Sequence, residues 1–208
     1  VFNGEIYNFK VIREKLKLKG YKFKTNCDTE VIIYSYDYWG KECVNKFNGM
    51  FAFAIYDKLK NTVFLARDRL GIKPLYYTLI NNTIILGSEI KVILKYPNFK
   101  RIPDLKSISS YLTFRYPYGE RTFFENIKKL LPGHIMTISA KESKIETYWS
   151  VPFNENKEDL GEEYYLKEVK KTLSESVSRR LISDVPLGAL LSGGLDSSII
   201  VSLMSKVS

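Results

Sequence analysis

The chain has 208 residues, of which 45% are hydrophobic and 26% charged, and its net charge is +9; this is an ordinary composition for a globular protein. The excess positive charge comes mostly from lysines scattered among acids and apolar residues rather than clustered in a stripe, so we expect no specific nucleic-acid partner. No apolar run reaches the roughly 20 residues of a membrane span, and the first residues lack the basic and apolar regions of a signal peptide, so we expect no membrane partner and a cytoplasmic location.

The first 150 residues predict an α+β pattern, in which glycines end the first two helices and polar turns separate paired strands. Helices are predicted over residues 8–19, 29–39 and 107–112, and strands over residues 21–24, 51–57, 62–68, 75–80, 83–88, 134–139 and 144–149. The strands FAFAIYD and TIILGS are apolar on both faces, so both faces should be covered. A layered sandwich with helices outside fits this pattern.

The sequence changes character after residue 150. Residues 151–161 are polar and contain Pro and Gly, which predicts a linker. Residues 162–182 carry the apolar spacing of a long helix, and residues 187–191 predict a buried strand of the parallel type. A glycine loop and another helix follow, an order typical of the start of an α/β domain.

The two cysteines and the single histidine fit no metal or triad pattern. Cys27 and Cys43 have no zinc-site spacing, and reduced thiols are the default, although their spacing leaves a disulfide open. His134 lies in a Pro-Gly turn that enters a strand. A structural role for His134 is therefore favoured over a catalytic one.

The string SGGLDSS (residues 192–198) has the chemistry of a phosphate loop. Backbone N–H groups at the start of a helix attract phosphate, and Gly193 and Gly194 allow close approach. Asp196 would repel a phosphate unless a cation such as Mg²⁺ stood between them. The lysine of the Walker A loop and the dinucleotide G-x-G-x-x-G fingerprint are both absent.

SGGLDSS resembles the pyrophosphate loop of the N-type ATP pyrophosphatases, which split ATP to AMP and pyrophosphate. The resemblance implies ATP and Mg²⁺ as cofactors, with Asp196 as a metal ligand. It also implies that the loop residues bind ATP: Leu191, Ser192, Gly193, Gly194, Leu195, Asp196, Ser197 and Ser198.

The N-terminal part decides among the enzymes that share this loop. The strings NGEIYN, NCDTEV, FNGMFAFAIYD, RDRLGIKPLYY and GSEIKVIL, in this order before SGGLDSS, resemble the glutamine-hydrolysing asparagine synthetases. The resemblance implies an N-terminal-nucleophile-hydrolase-type α+β sandwich over residues 1–150, a linker over 151–161 and the start of an ATP-pyrophosphatase-type α/β domain over 162–208. It further implies that glutamine hydrolysis supplies ammonia to amidate aspartate through a β-aspartyl-AMP, with glutamine, aspartate and ATP as substrates.

The resemblance assigns four residues to the glutamine pocket. Asn3 and Gly4 would supply oxyanion donors, and Glu5 and Asp28 would bind the ammonium of glutamine. Taken alone, Asn3–Gly4 is also a common turn pair, and Asp28 is a candidate cap for the following helix. RDRLGIKPLYY and GSEIK are interpreted as packing segments, in which buried Arg67 and Asp68 would pair.

Family members also carry a nucleophilic cysteine at the mature N-terminus, and neither Cys27 nor Cys43 matches it. We therefore interpret the chain as an internal fragment that is inactive in isolation. Relatives with another carboxylate acceptor, such as sugar-amidating or β-lactam-forming enzymes, remain alternatives, although the intact NGE string and Asp28 favour true amidotransfer. A non-catalytic relic, a nucleic-acid binder and a homodimer are also left open.

Overall fold

A computed structural model describes residues 1–81, 83–153, 158–183 and 185–207. They form two compact units, Val1–Val151 and Pro152–Ser208, and each unit is described by itself. Part of the predicted linker, residues 154–157, lies outside the described residues. No helix in the described part of the chain is both long and apolar enough to cross a membrane.

Within its described residues, the first unit has eight short strands, four α-helices and one 3-10 helix. The strands are β1 (Phe2–Ile6), β2 (Gly49–Asp57), β3 (Thr62–Arg67), β4 (Tyr76–Ile80), β5 (Thr83–Gly87), β6 (Lys128–Lys129), β7 (His134–Ile138) and β8 (Ser143–Thr147). The helices are α1 (Phe9–Lys17), α2 (Asp28–Trp39), the 3-10 helix Gly40–Lys46, α3 (Ile90–Leu94) and α4 (Leu105–Phe114).

The strands form two antiparallel sheets. One sheet has five strands in the order β1-β2-β3-β7-β8, and the other has three in the order β5-β4-β6. The three predicted hairpins are confirmed by the pairing of β2 with β3, β4 with β5 and β7 with β8. In the described part of the chain β1 has a partner on one side only, so its other edge is open.

Two apolar clusters place the five-stranded sheet in the middle of the unit. On one face, Phe51, Phe53 and Phe64 pack with residues of α1, α2 and the 3-10 helix, such as Leu16 and Val31. On the other face, strand residues that include Ala52, Leu65 and Met136 pack with Tyr77 of the second sheet and with Leu75 just before β4. The consecutive burial of Phe51, Ala52 and Phe53 confirms that β2 is covered on both faces. The unit is therefore the layered α+β sandwich that the sequence predicted.

Strand β5 and residues 21–24 differ from the prediction. None of the residues of β5 is fully buried, because this strand lies at the edge of the smaller sheet. Residues 21–24 form a loop, not a strand. The rings of Tyr21 and Phe23 pack on Tyr34 of α2 at 5.1 and 4.9 Å between centroids, and Tyr21 N–H closes the end of α1 by donating to Leu16 O. Alternating aromatic residues here serve packing on a helix, not pairing in a sheet.

The described residues of the second unit form two helices, α5 (Glu162–Arg180) and α6 (Leu195–Met204), as predicted. The strand predicted over residues 187–191 is wrong: these residues have no regular secondary structure. Leu190 is 98% exposed and Leu187 is half exposed. A parallel strand needs a neighbouring strand to pair with, and among the described residues no strand follows β8.

Candidate functional site

Strand β1 carries the NGE string along the open edge of the larger sheet. The sequence did not predict this strand, because Asn and Gly are depleted in strands. Pairing with β2 sets its register, with Asn3 opposite Ala52 and Gly4 opposite Phe51. Gly4 has φ +145°, and a Cβ atom at this position would lie 2.0 Å from the carbonyl oxygen of Met50. Only glycine fits here, and the alternative of an Asn-Gly turn is wrong.

The hydrogen-bond pattern shows where the Gly4 N–H points. Tyr7 N–H donates to Asn48 O at 2.8 Å, and Ala54 N–H donates to Val1 O at 2.9 Å. Since bonded pairs alternate in an antiparallel ladder, the odd-numbered residues of β1 direct their backbone groups at β2. The even-numbered Gly4 therefore directs its N–H to the open edge, as a donor that the sheet leaves available.

Ser88, just after β5, forms a hydrogen bond with Asn3, the residue before Gly4. Asn3 Nδ2 donates to Ser88 Oγ at 3.1 Å, across 85 positions of the sequence. An amide nitrogen carries two hydrogens, so one fixes the side chain and the other remains for a ligand. Ser88 belongs to the GSEIK string, which was predicted to be a packing segment, and its contact with Asn3 depends on how the two sheets meet.

Asp28 lies at the start of α2 and reaches the same edge of β1. Its Oδ2 accepts a hydrogen bond from Ile6 N–H at 2.9 Å, two residues beyond Gly4 and from the same side of the strand. Cys27, not Asp28, is the N-cap residue, and α2 has no side-chain cap, so the alternative of a capping role for Asp28 is wrong. Glu5 is exposed on β1. The structure thus brings Asp28 to the same edge of β1 as the Gly4 N–H, while the side chain of Asn3 binds Ser88 next to the smaller sheet.

The cysteines and the histidine have other surroundings. Both cysteines are free, Cys27 exposed and Cys43 buried. Burial raises the pKa of the Cys43 thiol to about 12, whereas the hydrogen bond with Thr25 lowers the pKa of Cys27. His134 Nδ1 lies 2.7 Å from Pro132 O, and its Nε2 lies 3.0 Å from Thr147 Oγ1, which agrees with a structural role.

Arg67 and Asp68 bind the backbone rather than each other, so the predicted pair is wrong. Arg67 donates to the carbonyls of Lys73, Leu130 and Gly71 at 2.6 to 2.8 Å. Asp68 is 1% exposed and accepts backbone N–H bonds, including one from Phe51 opposite Gly4. Their side chains satisfy loop groups that would otherwise be buried without partners.

The SGGLDSS segment forms a loop that leads into α6. Gly193 has φ +81°, and the loop hydroxyls bind within the segment: Ser197 Oγ and Ser198 Oγ donate to Gly194 O at 3.0 and 2.8 Å, and Ser192 Oγ lies 3.0 Å from Ser197 Oγ. No side chain caps α6. Its first N–H groups can therefore bind an anion, which fits a phosphate.

Asp196 lies in the first turn of α6. No group of three or more His, Cys, Asp or Glu side chains suited to a metal ion occurs among the described residues. Mg²⁺ is usually held by one or two carboxylates together with phosphate oxygens and water, so a single carboxylate beside a phosphate loop fits that ion.

The first unit is thus an α+β sandwich with a glycine-containing strand at one sheet edge, and a glycine loop at the start of α6 follows in the second unit. The chain belongs to the family described as glutamine amidotransferase domain, which it matches over residues 1–149. Residues 168–208 match a second family, described as asparagine synthase.

The solved structures it resembles share this fold. A B. subtilis glutamine phosphoribosylpyrophosphate amidotransferase complexed with ADP and GMP aligns over 100% of this chain and 44% of its own, with a TM-score of 0.50 and 16% identity. At that identity the likeness concerns the fold alone.

Curated relatives align over nearly the whole chain. Asparagine synthetase [glutamine-hydrolyzing] 3 of Bacillus subtilis is 38% identical over 98% of this chain and 33% of its own length. Putative asparagine synthetase [glutamine-hydrolyzing] 2 of Methanocaldococcus jannaschii is 39% identical over 99% and 40%. Amidase chry2 of Gibberella zeae is 34% identical over 100% and 31%. The chain thus spans about a third of the length of most of these relatives.

Proposed function

We propose that this chain supplies the glutamine site and the ATP phosphate loop of a glutamine-hydrolysing asparagine synthetase. The observation that carries the proposal is the edge of β1: the Gly4 N–H faces outward, the Asp28 carboxylate binds the same edge at Ile6, and the amide of the preceding Asn3 is held by Ser88. Donors aimed at the oxyanion accelerate hydrolysis of the glutamine side-chain amide, and recognition of glutamine calls for an acceptor for its α-ammonium. Both kinds of group are present here: the donors belong to β1, and the acceptor carboxylate lies at the start of α2.

In this proposal each residue has one task. Asn3 Nδ2–H and Gly4 N–H stabilise the oxyanion, and Asp28 and Glu5 bind the α-ammonium of glutamine. Cys43 cannot be the nucleophile, because it is fully buried and its pKa is raised to about 12. The family resemblance implies instead a cysteine at the mature N-terminus, activated by its own α-amine, and neither Cys27 nor Cys43 matches that position. We therefore expect residues 1–208 alone to release no ammonia from glutamine.

The second half of the proposal concerns the SGGLDSS loop. Residues 191–198 would bind the phosphates of ATP through the N–H groups of α6 and the serine hydroxyls. Asp196 would hold Mg²⁺, which when bound neutralises phosphate charge. Aspartate would be activated as β-aspartyl-AMP with release of pyrophosphate, and ammonia from glutamine would displace AMP to give asparagine. A cytoplasmic location and a possible homodimer belong to the same proposal. A carboxylate acceptor other than aspartate is its alternative.

The test uses the complete gene product that carries this chain, with aspartate, ATP and either glutamine or free ammonia. We expect asparagine, AMP and pyrophosphate from both nitrogen donors, with the Asn3→Ala variant losing about 100-fold in glutamine-dependent rate but none in ammonia-dependent rate. Lys10→Ala on the exposed face of α1 is the matched control. If only carboxylates other than aspartate are amidated, the acceptor is wrong; if Asn3→Ala leaves glutamine use unchanged, the glutamine site is wrong.

A further inference from the structure

Arg13 is a buried cation in the middle of α1. It is only 7% exposed, and its guanidinium lies between two aromatic rings, 5.5 Å from the centroid of Phe9 and 5.2 Å from that of Phe23. Burying a guanidinium costs free energy that an apolar side chain would not. Aromatic faces offset part of that cost. The hydrogen bonds of the guanidinium show what the buried charge contributes.

Both hydrogen bonds of Arg13 go to the two residues before Asp28. Nη1 donates to Asn26 Oδ1 at 2.9 Å, and Nη2 donates to Cys27 O at 3.1 Å, while Nε has no hydrogen-bond partner. The planar fork of arginine fixes two acceptors in one geometry, which a single ammonium cannot do. Arg13 therefore fixes both the side chain of Asn26 and the backbone of Cys27.

The loop is fixed from its other end by Glu30. The carboxylate of Glu30 accepts bonds from Lys24 N–H, Thr25 N–H and Thr25 Oγ1 at 2.7 to 2.9 Å. Glu30 thus holds residues 24 and 25, and Arg13 holds residues 26 and 27. The next residue is Asp28, whose Oδ2 accepts a hydrogen bond from Ile6 N–H of β1 at 2.9 Å.

We propose that Arg13 is a positioning residue of the glutamine site: it fixes the Asn26 side chain and the Cys27 backbone so that the Asp28 carboxylate meets both the edge of β1 and the ammonium of the substrate. This inference rests on the proposed function, because it takes Asp28 as a ligand of glutamine. Arg13 itself touches no reacting atom. Its effect should therefore appear in substrate affinity and in the Asp28–Ile6 contact, with the chemical step left nearly intact.

The first experiment needs no substrate. Hydrogen exchange of the Ile6 amide is measured by NMR on residues 1–208 in wild type, Arg13→Met, Arg13→Lys and two controls. The controls are Lys15→Met, an exposed cation of α1, and Ile12→Val, which weakens the core at the neighbouring position. We expect Ile6 exchange to rise about tenfold in Arg13→Met, less in Arg13→Lys, and to change little in Lys15→Met. Ile6 exchange that is no faster in Arg13→Met than in Ile12→Val would overturn the positioning role.

The second experiment measures glutamine hydrolysis by the complete gene product with the same variants. Arg13→Met should raise the KM for glutamine about tenfold with kcat within about twofold, Arg13→Lys should recover part of the loss, and both controls should match wild type. A wild-type KM in Arg13→Met, or a lowered kcat without a change in KM, contradicts the proposal. If wild type hydrolyses no glutamine, the proposed function fails and the Ile6 exchange alone decides whether Arg13 positions Asp28.

Discussion

At the scale of single residues, close contacts orient the Gly4 N–H and the Asn3 amide of β1. Gly4 is required because a Cβ atom would meet Met50 O at 2.0 Å, and the same position leaves its N–H directed outward. Asn3 is held by Ser88 through one amide hydrogen at 3.1 Å. Both groups are therefore oriented without a ligand, which is the condition under which the proposed oxyanion donors would be most effective.

Ser88 gives a prediction at this scale. In Ser88→Ala the Asn3 amide loses its partner and samples other rotamers, so kcat for glutamine hydrolysis should fall about tenfold, less than the 100-fold typical of losing a donor outright. Steady-state kinetics of the complete gene product would measure it, with Ser139→Ala in the β7–β8 turn as control. Unchanged kcat in Ser88→Ala would show that Asn3 needs no such support.

At the scale of elements, helix α4 is held in place by one carboxylate. Asp104 is its N-cap residue and accepts from Lys106 N–H and Ser107 N–H. The same carboxylate binds Arg121 Nε and Nη2, each at 3.0 Å, and hydrogen bonding from Arg121 lowers its pKa. One side chain thus caps the helix and attaches it to the segment that leads into β6.

Replacing this carboxylate should destabilise the first unit in a pH-dependent way. Asp104→Ala is expected to cost about 2 kcal/mol of unfolding free energy near neutral pH, and Asp104→Asn about half of that, because the amide oxygen still caps α4. Since the folded pKa is lowered, the wild-type advantage is present above the unfolded pKa, about 3.9, and is lost as the pH falls through the folded pKa. Urea unfolding at several pH values measures this.

The control for this prediction is Glu14→Gln, which removes an exposed ion pair with Lys17. Exposed pairs contribute about 0 to 1 kcal/mol, so its midpoint should barely move. An Asp104→Ala variant as stable as Glu14→Gln at neutral pH would mean that the cap and the Arg121 pair do not stabilise α4.

At the scale of the whole molecule, the two units differ in how well their apolar residues are covered. Phe47, Phe51 and Phe64 of the first unit are at most 1% exposed. In the second unit, an open groove of about 390 Å³ is lined by apolar residues of α5, α6 and the segment between them, among them Leu173, Leu187 and Ile200. Of the described residues beyond 152, only Val177 is buried.

We therefore expect residues 187–204 to be the least stable part of residues 1–208. Their amides should exchange about a hundredfold faster than those of β2, since local opening costs less free energy where few apolar contacts form. Hydrogen exchange followed by mass spectrometry on residues 1–208 would test this, with the amides of α1 as an internal reference for a well-packed helix. Protection of residues 187–204 equal to that of β2 would contradict the expectation.

The sequence by itself determined the helices α1, α2, α5 and α6, the three hairpins and the family, because apolar periodicity, glycine stops and long motif strings are local properties. Only the tertiary structure decided that residues 2–6 form a strand while residues 21–24 and 187–191 do not, since a strand exists only where a neighbour accepts its hydrogen bonds. It also brought Ser88 to Asn3 and Arg13 to the loop before Asp28, contacts between residues distant in sequence that no local pattern records. The residues of the candidate site could be named from motifs, but the direction of the Gly4 N–H follows from the register with β2.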